Sequence, residues 1–188
     1  PQPHRRARAR LVGAVVTIAI VGIPGSGKST VGRLLAQRLH VPFTDVDALI
    51  EEQTGREIRD IFAEDGEAAF RRLEVAATTE CLQRAGVVSL GGGAVLSPVI
   101  RDALDGHEVV WLQVSITHAT RRVGLNVVRP LLLGNVRSQL VKLMHEREPL
   151  YAQVATLPVV TDDLRAPEVV AEIVRRSPEA QRLAEGAS

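Results

Sequence analysis

One short glycine-rich segment restricts what this chain can fold into more than any other. Residues 22–30 read GIPGSGKST and match the pattern G-x-x-x-x-G-K-[ST] in full. They directly follow an apolar, β-branched run, Val15 to Val21. That context predicts a buried strand, a tight turn and a helix that opens at Lys28–Thr30, which together form a P-loop. The segment therefore predicts a site for a nucleoside triphosphate.

The residue types of this loop suit separate tasks. Its glycines let the backbone approach closely enough to direct N–H groups at phosphate oxygens, and the helix N-terminus contributes the positive end of the helix dipole. Lys28 should reach the β- and γ-phosphates, and the Ser29 hydroxyl should take one position on Mg²⁺. The residues that we expect to contact ATP in this loop are Gly25, Ser26, Gly27, Lys28, Ser29 and Thr30.

The composition excludes several other classes of protein. A length of 188 residues is enough for one domain with a real core. A net charge of +1 gives no strong field for nucleic acid or acidic membranes, and an aromatic content of 3% leaves little for stacking bases. Cys81 is the only cysteine, so disulfide scaffolds and cysteine-based zinc sites within one chain are excluded.

The two ends of the chain read as tails. Four arginines lie within the first ten residues and precede the apolar run Leu11 to Val21, an order that superficially resembles a signal peptide. The run is too short to span a bilayer as a helix, and the P-loop follows at once. We expect a basic flexible tail at 1–14, one domain at 15–176 and a frayed tail at 177–188; a weak nucleic-acid or targeting role for the basic tail is the less favoured alternative.

Strand and helix patterns alternate along the rest of the chain. Residues 48–85 read as helical with breaks near Gly55 and Gly66, and short apolar runs alternate with helical patterns elsewhere. The other predicted strands are Val41 to Asp47, Val87 to Leu90, Val109 to Val114 and Val154 to Val160, and the other predicted helices are Leu96 to Leu104, Ser115 to Arg122 and Pro167 to Arg176. This alternation predicts an α/β fold of three αβα layers around a parallel sheet of about five strands.

Four features of the sequence each allow two interpretations. Asp45 and Asp47 could face a ligand, or Asp47 could cap a helix. The three glycines at 91–93 could approach a ligand or form a flexible turn. Arg71 lies near two phenylalanines, in a pocket or a local core. The basic residues of the segment 121–147 could stabilise a transferring phosphoryl group or lie on a solvated helix.

Taken together, these motifs resemble the shikimate kinases, in the nucleoside-monophosphate-kinase-like branch of P-loop proteins. The resemblance runs from about Val16 to Val174, and the ordered combination is far more specific than the P-loop alone. Its carriers are the P-loop, Asp45-Val46-Asp47, Asp60-Ile61-Phe62, Gly66-Glu67, Phe70-Arg71-Arg72-Leu73-Glu74, Ser89-Leu90-Gly91-Gly92-Gly93-Ala94, Asn126-Val127-Val128-Arg129-Pro130-Leu131 and Arg147-Glu148-Pro149-Leu150-Tyr151.

The resemblance implies a reaction and its partners. ATP would donate its γ-phosphoryl group, with Mg²⁺, to the 3-hydroxyl of shikimate, giving shikimate 3-phosphate for chorismate and aromatic amino acid biosynthesis. It implies a cytoplasmic, monomeric enzyme that binds neither nucleic acid nor membrane. A segment at about 45–85 would bind shikimate, and a flap (lid) at about 123–137 would cover the site.

The resemblance also implies residue roles on the acceptor side. Asp47 would bind shikimate hydroxyls and help to accept the proton. Arg71 and Arg147 would pair with the shikimate carboxylate, and Gly92 and Gly93 would offer backbone donors to a hydroxyl.

On the donor side, the resemblance assigns Lys28 and Arg129 to catalysis, with Arg129 on the flap contacting the transferring phosphate. Asp45 would hold Mg²⁺ through water beside Ser29. Arg122 and Pro167 would flank adenine. The flap has Leu125 where many relatives carry more glycine, which implies a stiffer flap.

Two rival functions remain at this stage. One is another small-molecule kinase of the same fold, such as a gluconate or nucleoside-monophosphate kinase, although the two arginines favour a carboxylate acceptor. The other is a P-loop binding module without activity, which retention of the site residues argues against.

Overall fold

A five-stranded parallel sheet forms the centre of the molecule. The computed structural model describes residues 17–124 and 136–186, so the expected basic tail at 1–14 and most of the expected flap, with Leu125 and Arg129, lie outside the described residues. Within them the strands are β1 (Thr17–Val21), β2 (Phe43–Asp45), β3 (Gly86–Ser89), β4 (Glu108–Gln113) and β5 (Leu157–Val160). Their order in the sheet is β2-β3-β1-β4-β5, which confirms the predicted α/β class.

Nine α-helices flank this sheet in the described part of the chain. The helices α1 (Lys28–Leu39), α2 (Val46–Thr54), α3 (Ile58–Glu64), α4 (Glu67–Leu82), α5 (Pro98–Ala103), α6 (Ile116–Gly124), α7 (Val136–Val154), α8 (Ala166–Arg176) and α9 (Pro178–Gly186) follow in chain order, with a 3₁₀ turn at Ala94–Leu96. The breaks between α2, α3 and α4 fall at Gly55 and Gly66, as the sequence predicted; both residues have a positive φ.

The strand register brings the polar strand ends together. β1 lies between β3 and β4, with Ile20 opposite Ser89 on one side and Val21 opposite Trp111 on the other. Asp45 at the end of β2 pairs in register with Ser89. The carboxyl ends of these parallel strands therefore lie at one edge of the sheet. The strand order reverses at β1, because β2 and β3 lie on one side of it and β4 and β5 lie on the other. Ligands of open α/β sheets bind at such a switch point.

Each face of the sheet has its own apolar core, because side chains alternate along β1. Ile18 and Ile20 pack with residues of α1 and α8 on one face, and Ala19 and Val21 pack with residues of α2, α4 and α7 on the other. The two covered faces explain why the strands read as continuous apolar runs.

Three predicted boundaries are wrong. The strand predicted at Val154 to Val160 begins only at Leu157, because α7 extends to Val154. The strand predicted at Val41 to Asp47 is limited to Phe43–Asp45, because α2 begins at Val46. The frayed end expected from Ser177 is wrong for residues 178–186, which form α9. Ser177 is fully buried and its Oγ accepts a hydrogen bond from the Ala180 N–H at 2.8 Å, and the Glu108 carboxylate accepts from the Glu179 N–H at 3.1 Å. These two caps and the burial of Ala180 stabilise the helix.

Among residues 17–124 and 136–186, no helix has the length and apolar character required to cross a bilayer.

Candidate active site

The loop after β1 has the backbone shape of a phosphate cradle. Gly25 and Gly27 adopt φ of 82° and 91°, a region that L side chains rarely occupy. A Cβ at Gly25 would also lie 2.8 Å from the carbonyl oxygen of Ala119 and 2.9 Å from Cγ2 of Val123. Glycine at Gly25 is therefore required both by conformation and by the close approach of α6.

Lys28 opens α1 and folds back over this loop. Its side chain is 7% exposed, and its Nζ donates a hydrogen bond to the carbonyl oxygen of Ile23 at 3.1 Å. The ammonium group thus lies within the curve of the P-loop, where a phosphate would be surrounded by backbone N–H groups.

Ser29 and Asp45 join the P-loop to the end of β2. The Ser29 hydroxyl donates to Oδ2 of Asp45 at 2.5 Å, while Oδ1 of Asp45 accepts from the N–H of Asp47 at 3.2 Å. Asp45 is therefore the N-cap of α2, and Asp47 lies in its first turn; of the alternatives that the sequence left open, a cap at Asp47 is wrong. The hydroxyl and carboxylate are hard oxygen donors of the kind that Mg²⁺ prefers.

An open cavity of about 430 Å³ collects these groups. It lies at the carboxyl edge of the sheet, between the P-loop, the first turn of α2 and the end of β3. The residues that line it are Gly25, Gly27, Lys28, Ser29, Thr30, Asp45, Asp47, Ser89, Leu90, Arg122 and Val123. A phosphate cradle and a carboxylate that could accept a proton thus share one space.

Arg122 lines both this cavity and a second one of about 280 Å³. Its guanidinium donates to the carbonyl oxygen of Thr161 at 2.9 Å and reaches the carbonyl oxygen of Gly25 at 3.5 Å. The second cavity is lined by Ser26, Gly27, Thr30, Val31, Arg122, Thr161, Leu164, Arg165, Ala166 and Val169. Pro167 lies in the first turn of α8, next to the lining residue Ala166 but not itself in the lining.

Arg71 is held by two carboxylates on α4. Its Nη1 lies 2.7 Å from Oε2 of Glu74, and its Nη2 lies 2.9 Å from Oε1 of Glu67. Glu74 is 1% exposed; burial raises the pKa of its carboxyl, although the charge of Arg71 acts in the opposite direction. The guanidinium also lies over the Phe70 ring, which packs on Phe62, so the contacts favour the local-core interpretation for Arg71.

The glycines at 91–93 are needed because side chains lie against them. A Cβ at Gly91 would lie 2.5 Å from Oε1 of Glu74 and 2.7 Å from Oδ1 of Asp47. A Cβ at Gly93 would lie 2.5 Å from Nη1 and Nη2 of Arg71. The turn therefore brings Asp47, Glu74 and Arg71 together, which a merely flexible loop would not require.

Tyr151 reaches the same turn from α7, and Arg147 on the same helix interacts with Tyr151 and with the charge of Glu74. Arg147 is 4% exposed, whereas Arg137 and Lys142 on the same helix are exposed, so the solvated-helix interpretation holds for those two and is wrong for Arg147. The hydroxyl of Tyr151 donates to the carbonyl oxygen of Gly92 at 2.6 Å, and burial raises the pKa of Tyr151 well above its ordinary value.

Sequence reasoning assigned no role to Glu74 or Tyr151. The signal that could have found them is helical spacing: Glu74 follows Arg71 by three residues and Tyr151 follows Arg147 by four. Such spacing places each of them on the same helix face as an arginine of the predicted site.

Comparison with known proteins agrees with this geometry. A family model described as "Shikimate kinase" matches residues 24–177, from the P-loop to the end of α8. A curated shikimate kinase of Mycobacterium avium (strain 104) is 52% identical over 161 residues, which cover 85% of this chain and 92% of that protein.

The chain belongs to the shikimate kinase family. Members of this family are kinases that transfer a phosphoryl group from ATP to shikimate, and this chain is a kinase of that kind.

Two solved structures resemble this chain to different degrees. The shikimate kinase from Acinetobacter baumannii in complex with shikimate has a TM-score of 0.83 and 35% identity, covering 86% of this chain and 92% of that one. A gluconokinase from Sinorhizobium meliloti 1021 has a TM-score of 0.61 at 22% identity, covering 93% and 96% of the two chains. The second likeness shows the fold alone.

Proposed function

We propose that this chain transfers the γ-phosphoryl group of ATP to the 3-hydroxyl of shikimate in the open cavity beside the P-loop, giving ADP and shikimate 3-phosphate. The observation that carries this proposal is the shared cavity, in which Lys28 and Ser29 of the P-loop face Asp47 at the start of α2. A phosphate donor bound to the loop would face an acceptor bound against the carboxylate.

The donor half of the proposal rests on the P-loop and Arg122. The phosphates of ATP would accept hydrogen bonds from the loop around Gly25 to Thr30, and Lys28 would neutralise the charge of the β- and γ-phosphates. Arg122 lines both cavities, so the nucleotide base would lie in the second cavity with the phosphates in the first. Pro167 would border that base from the first turn of α8.

Mg²⁺ fits the pair formed by Ser29 and Asp45. Their oxygens already lie 2.5 Å apart at the rim of the cavity, and Mg²⁺ is commonly held by one or two such groups together with phosphate oxygens. Asp45 would act through a bound water, as the family resemblance implies; its Oδ1 caps α2, and its Oδ2 faces Ser29. The ion, when bound, neutralises charge on the phosphates and helps to orient them.

The acceptor half rests on the cluster around the glycine turn. Arg71 and Arg147 are cationic groups on two helices, α4 and α7; Arg71 lies against Gly93, and both interact with the charge of Glu74. Paired guanidinium groups suit a carboxylate because each can donate two parallel hydrogen bonds. Backbone N–H groups at Gly92 and Gly93 would bind a hydroxyl of the same molecule.

Asp47 would accept the proton of the attacking hydroxyl. It lines the cavity beside Lys28 and Ser29. Its Oδ1, like Oε1 of Glu74, lies against Gly91. Phosphoryl transfer depends mainly on alignment and on stabilising charge on the transferring group. Lys28 would supply that charge from the described residues, and the resemblance adds Arg129, which lies outside them.

An acceptor comparison tests this proposal. The purified chain, ATP and Mg²⁺ are incubated separately with shikimate, gluconate and nucleoside monophosphates, and ADP release is measured for each. We expect shikimate to be the preferred acceptor and ³¹P and ¹H NMR of the product to show phosphate on the 3-hydroxyl. Faster turnover with gluconate or a nucleotide, or phosphate on another hydroxyl, would contradict the assignment.

A further inference from the structure

Tyr151 connects α7 to the glycine turn through one short hydrogen bond. Its side chain is 1% exposed, and its hydroxyl donates to the carbonyl oxygen of Gly92 at 2.6 Å. The ring stacks on Trp111 of β4 with centroids 6.0 Å apart and planes 29° apart. The ring is thus fixed by packing, and its hydroxyl is aimed at one backbone atom.

That atom belongs to a peptide unit whose other end faces the proposed acceptor site. The carbonyl of Gly92 and the N–H of Gly93 share one planar, trans peptide, so they point in opposite directions. A bond that fixes the carbonyl therefore also fixes the direction of the N–H. It polarises the peptide as well, which makes the N–H a stronger donor.

The neighbours of this peptide are the cationic groups of the acceptor site. A Cβ at Gly93 would touch the guanidinium of Arg71, so that group lies beside the Cα of Gly93, one bond from the nitrogen of this peptide. Arg147 lies one helical turn before Tyr151 and, through its charge and a hydrogen bond, acts against the burial that raises the pKa of Tyr151. One side chain thus contacts both the glycine turn and Arg147.

We propose that Tyr151 is a positioning residue for the acceptor: it orients the Gly92–Gly93 peptide so that the Gly93 N–H binds an acceptor hydroxyl, and it holds this turn in register with Arg147. The inference rests on the proposed function, because it assumes that shikimate binds at this turn. It places the contribution of Tyr151 in acceptor binding and not in the binding of ATP.

The variant Tyr151→Phe tests this role, since it removes the hydroxyl and keeps the ring that packs on Trp111. The loss leaves the Gly92 carbonyl without this donor, so we expect KM for shikimate to rise about five- to tenfold. KM for ATP should stay within about twofold of the parent value. In a sample labelled with ¹⁵N-glycine, the Gly93 amide signal should move and its response to added shikimate should shrink.

Thr17→Val is a matched control. Thr17 is also fully buried, and its hydroxyl also donates to a backbone carbonyl at 2.6 Å, that of Arg84, but at the opposite end of the sheet. Both variants should lower the melting temperature, whereas the Thr17 variant should leave both KM values unchanged.

The outcomes separate the inference from the function on which it rests. A Tyr151→Phe enzyme with an unchanged KM for shikimate, or with equal rises in both KM values, would overturn the positioning role while shikimate-dependent turnover by the parent chain persists. Absence of that turnover in the parent chain would instead overturn the proposed function.

Discussion

Arg71 and Glu74 form an ion pair across one turn of α4, with Nη1 2.7 Å from Oε2 and the carboxylate almost fully buried. The second carboxylate, Glu67, holds the other side of the same guanidinium at 2.9 Å. Arg71 is thereby fixed against Gly93 before any ligand binds. A preoriented cation loses less side-chain entropy when an anion arrives.

Removal of Arg71 should weaken shikimate binding more than ATP binding. We expect Arg71→Ala to raise the dissociation constant for shikimate about 10- to 100-fold, the range for losing a charged hydrogen-bonding partner. Isothermal titration calorimetry measures it. Arg72→Ala, at the exposed neighbouring position, is the control and should bind as the parent does; equal affinity in the Arg71 and Arg72 variants would refute the role of Arg71.

The buried carboxyl of Glu74 should make stability depend on pH. Because its pKa is raised from 4.5 in the folded chain, mainly by burial, the folded state binds more protons than the unfolded state above pH 4.5. The free energy of unfolding should therefore fall as the pH rises from 4.5 towards the raised pKa. In urea unfolding, the free energy of unfolding of the parent minus that of Glu74→Gln should fall over this pH range, because all other carboxyls are common to both proteins; a difference that stays constant with pH would contradict the prediction.

Asp47 should be needed for turnover and not for nucleotide binding. We expect Asp47→Asn to reduce kcat about 10²-fold or more, because the amide cannot accept the proton, while the affinity for ATP is retained. Steady-state kinetics and nucleotide titration measure the two effects. Glu52→Gln, an exposed change on the same helix, should have parental kinetics. Near-parental turnover by Asp47→Asn would remove Asp47 as the proton acceptor.

Changes at Ser29 and Asp45 should alter the requirement for Mg²⁺. Asparagine caps helices about as well as aspartate, so Asp45→Asn should keep α2 while it weakens the ion site. We expect this variant and Ser29→Ala each to raise the Mg²⁺ concentration for half-maximal activity by about tenfold or more. A magnesium titration at fixed total ATP checks this, and parental titration curves for both variants would rule out the pair as the ion site.

Local patterns predicted most of the elements in this fold. The P-loop between β1 and α1 and the helix breaks at Gly55 and Gly66 follow from residues whose backbone preferences are strong. Each of these signals acts within a few residues, so it can be recognised in the sequence without knowledge of tertiary contacts.

Boundaries set by competing side chains were less predictable. Asp45 and Asp47 are both of a residue type that caps helices well, so the local pattern does not decide between them. In the structure Asp45 caps α2, and it also pairs with Ser29, 16 residues earlier in the chain. The helix α9 likewise depends on Glu108, which is 71 residues away from the N–H that it caps. Contacts at such separations are absent from local patterns.

Contacts between residues far apart in the chain also limited what the sequence could predict about the site. The motifs identified Arg71 and Arg147, but whether Arg147 is buried or solvated depends on which face of α7 meets the sheet. The bond from Tyr151 to Gly92 joins residues 59 apart, and neither residue type alone indicates it. Residue types thus suggested the chemistry, while packing determined which side chains share the site.

The release of ADP with and without shikimate tests the central claim most directly. With ATP and Mg²⁺ present, we predict slow release in the absence of shikimate and a saturable increase of at least about 10²-fold when shikimate is added. Lys28→Ala should abolish the increase, which ties it to the P-loop. An equal rate of ADP release with and without shikimate would contradict the claim that this cavity transfers phosphate to shikimate.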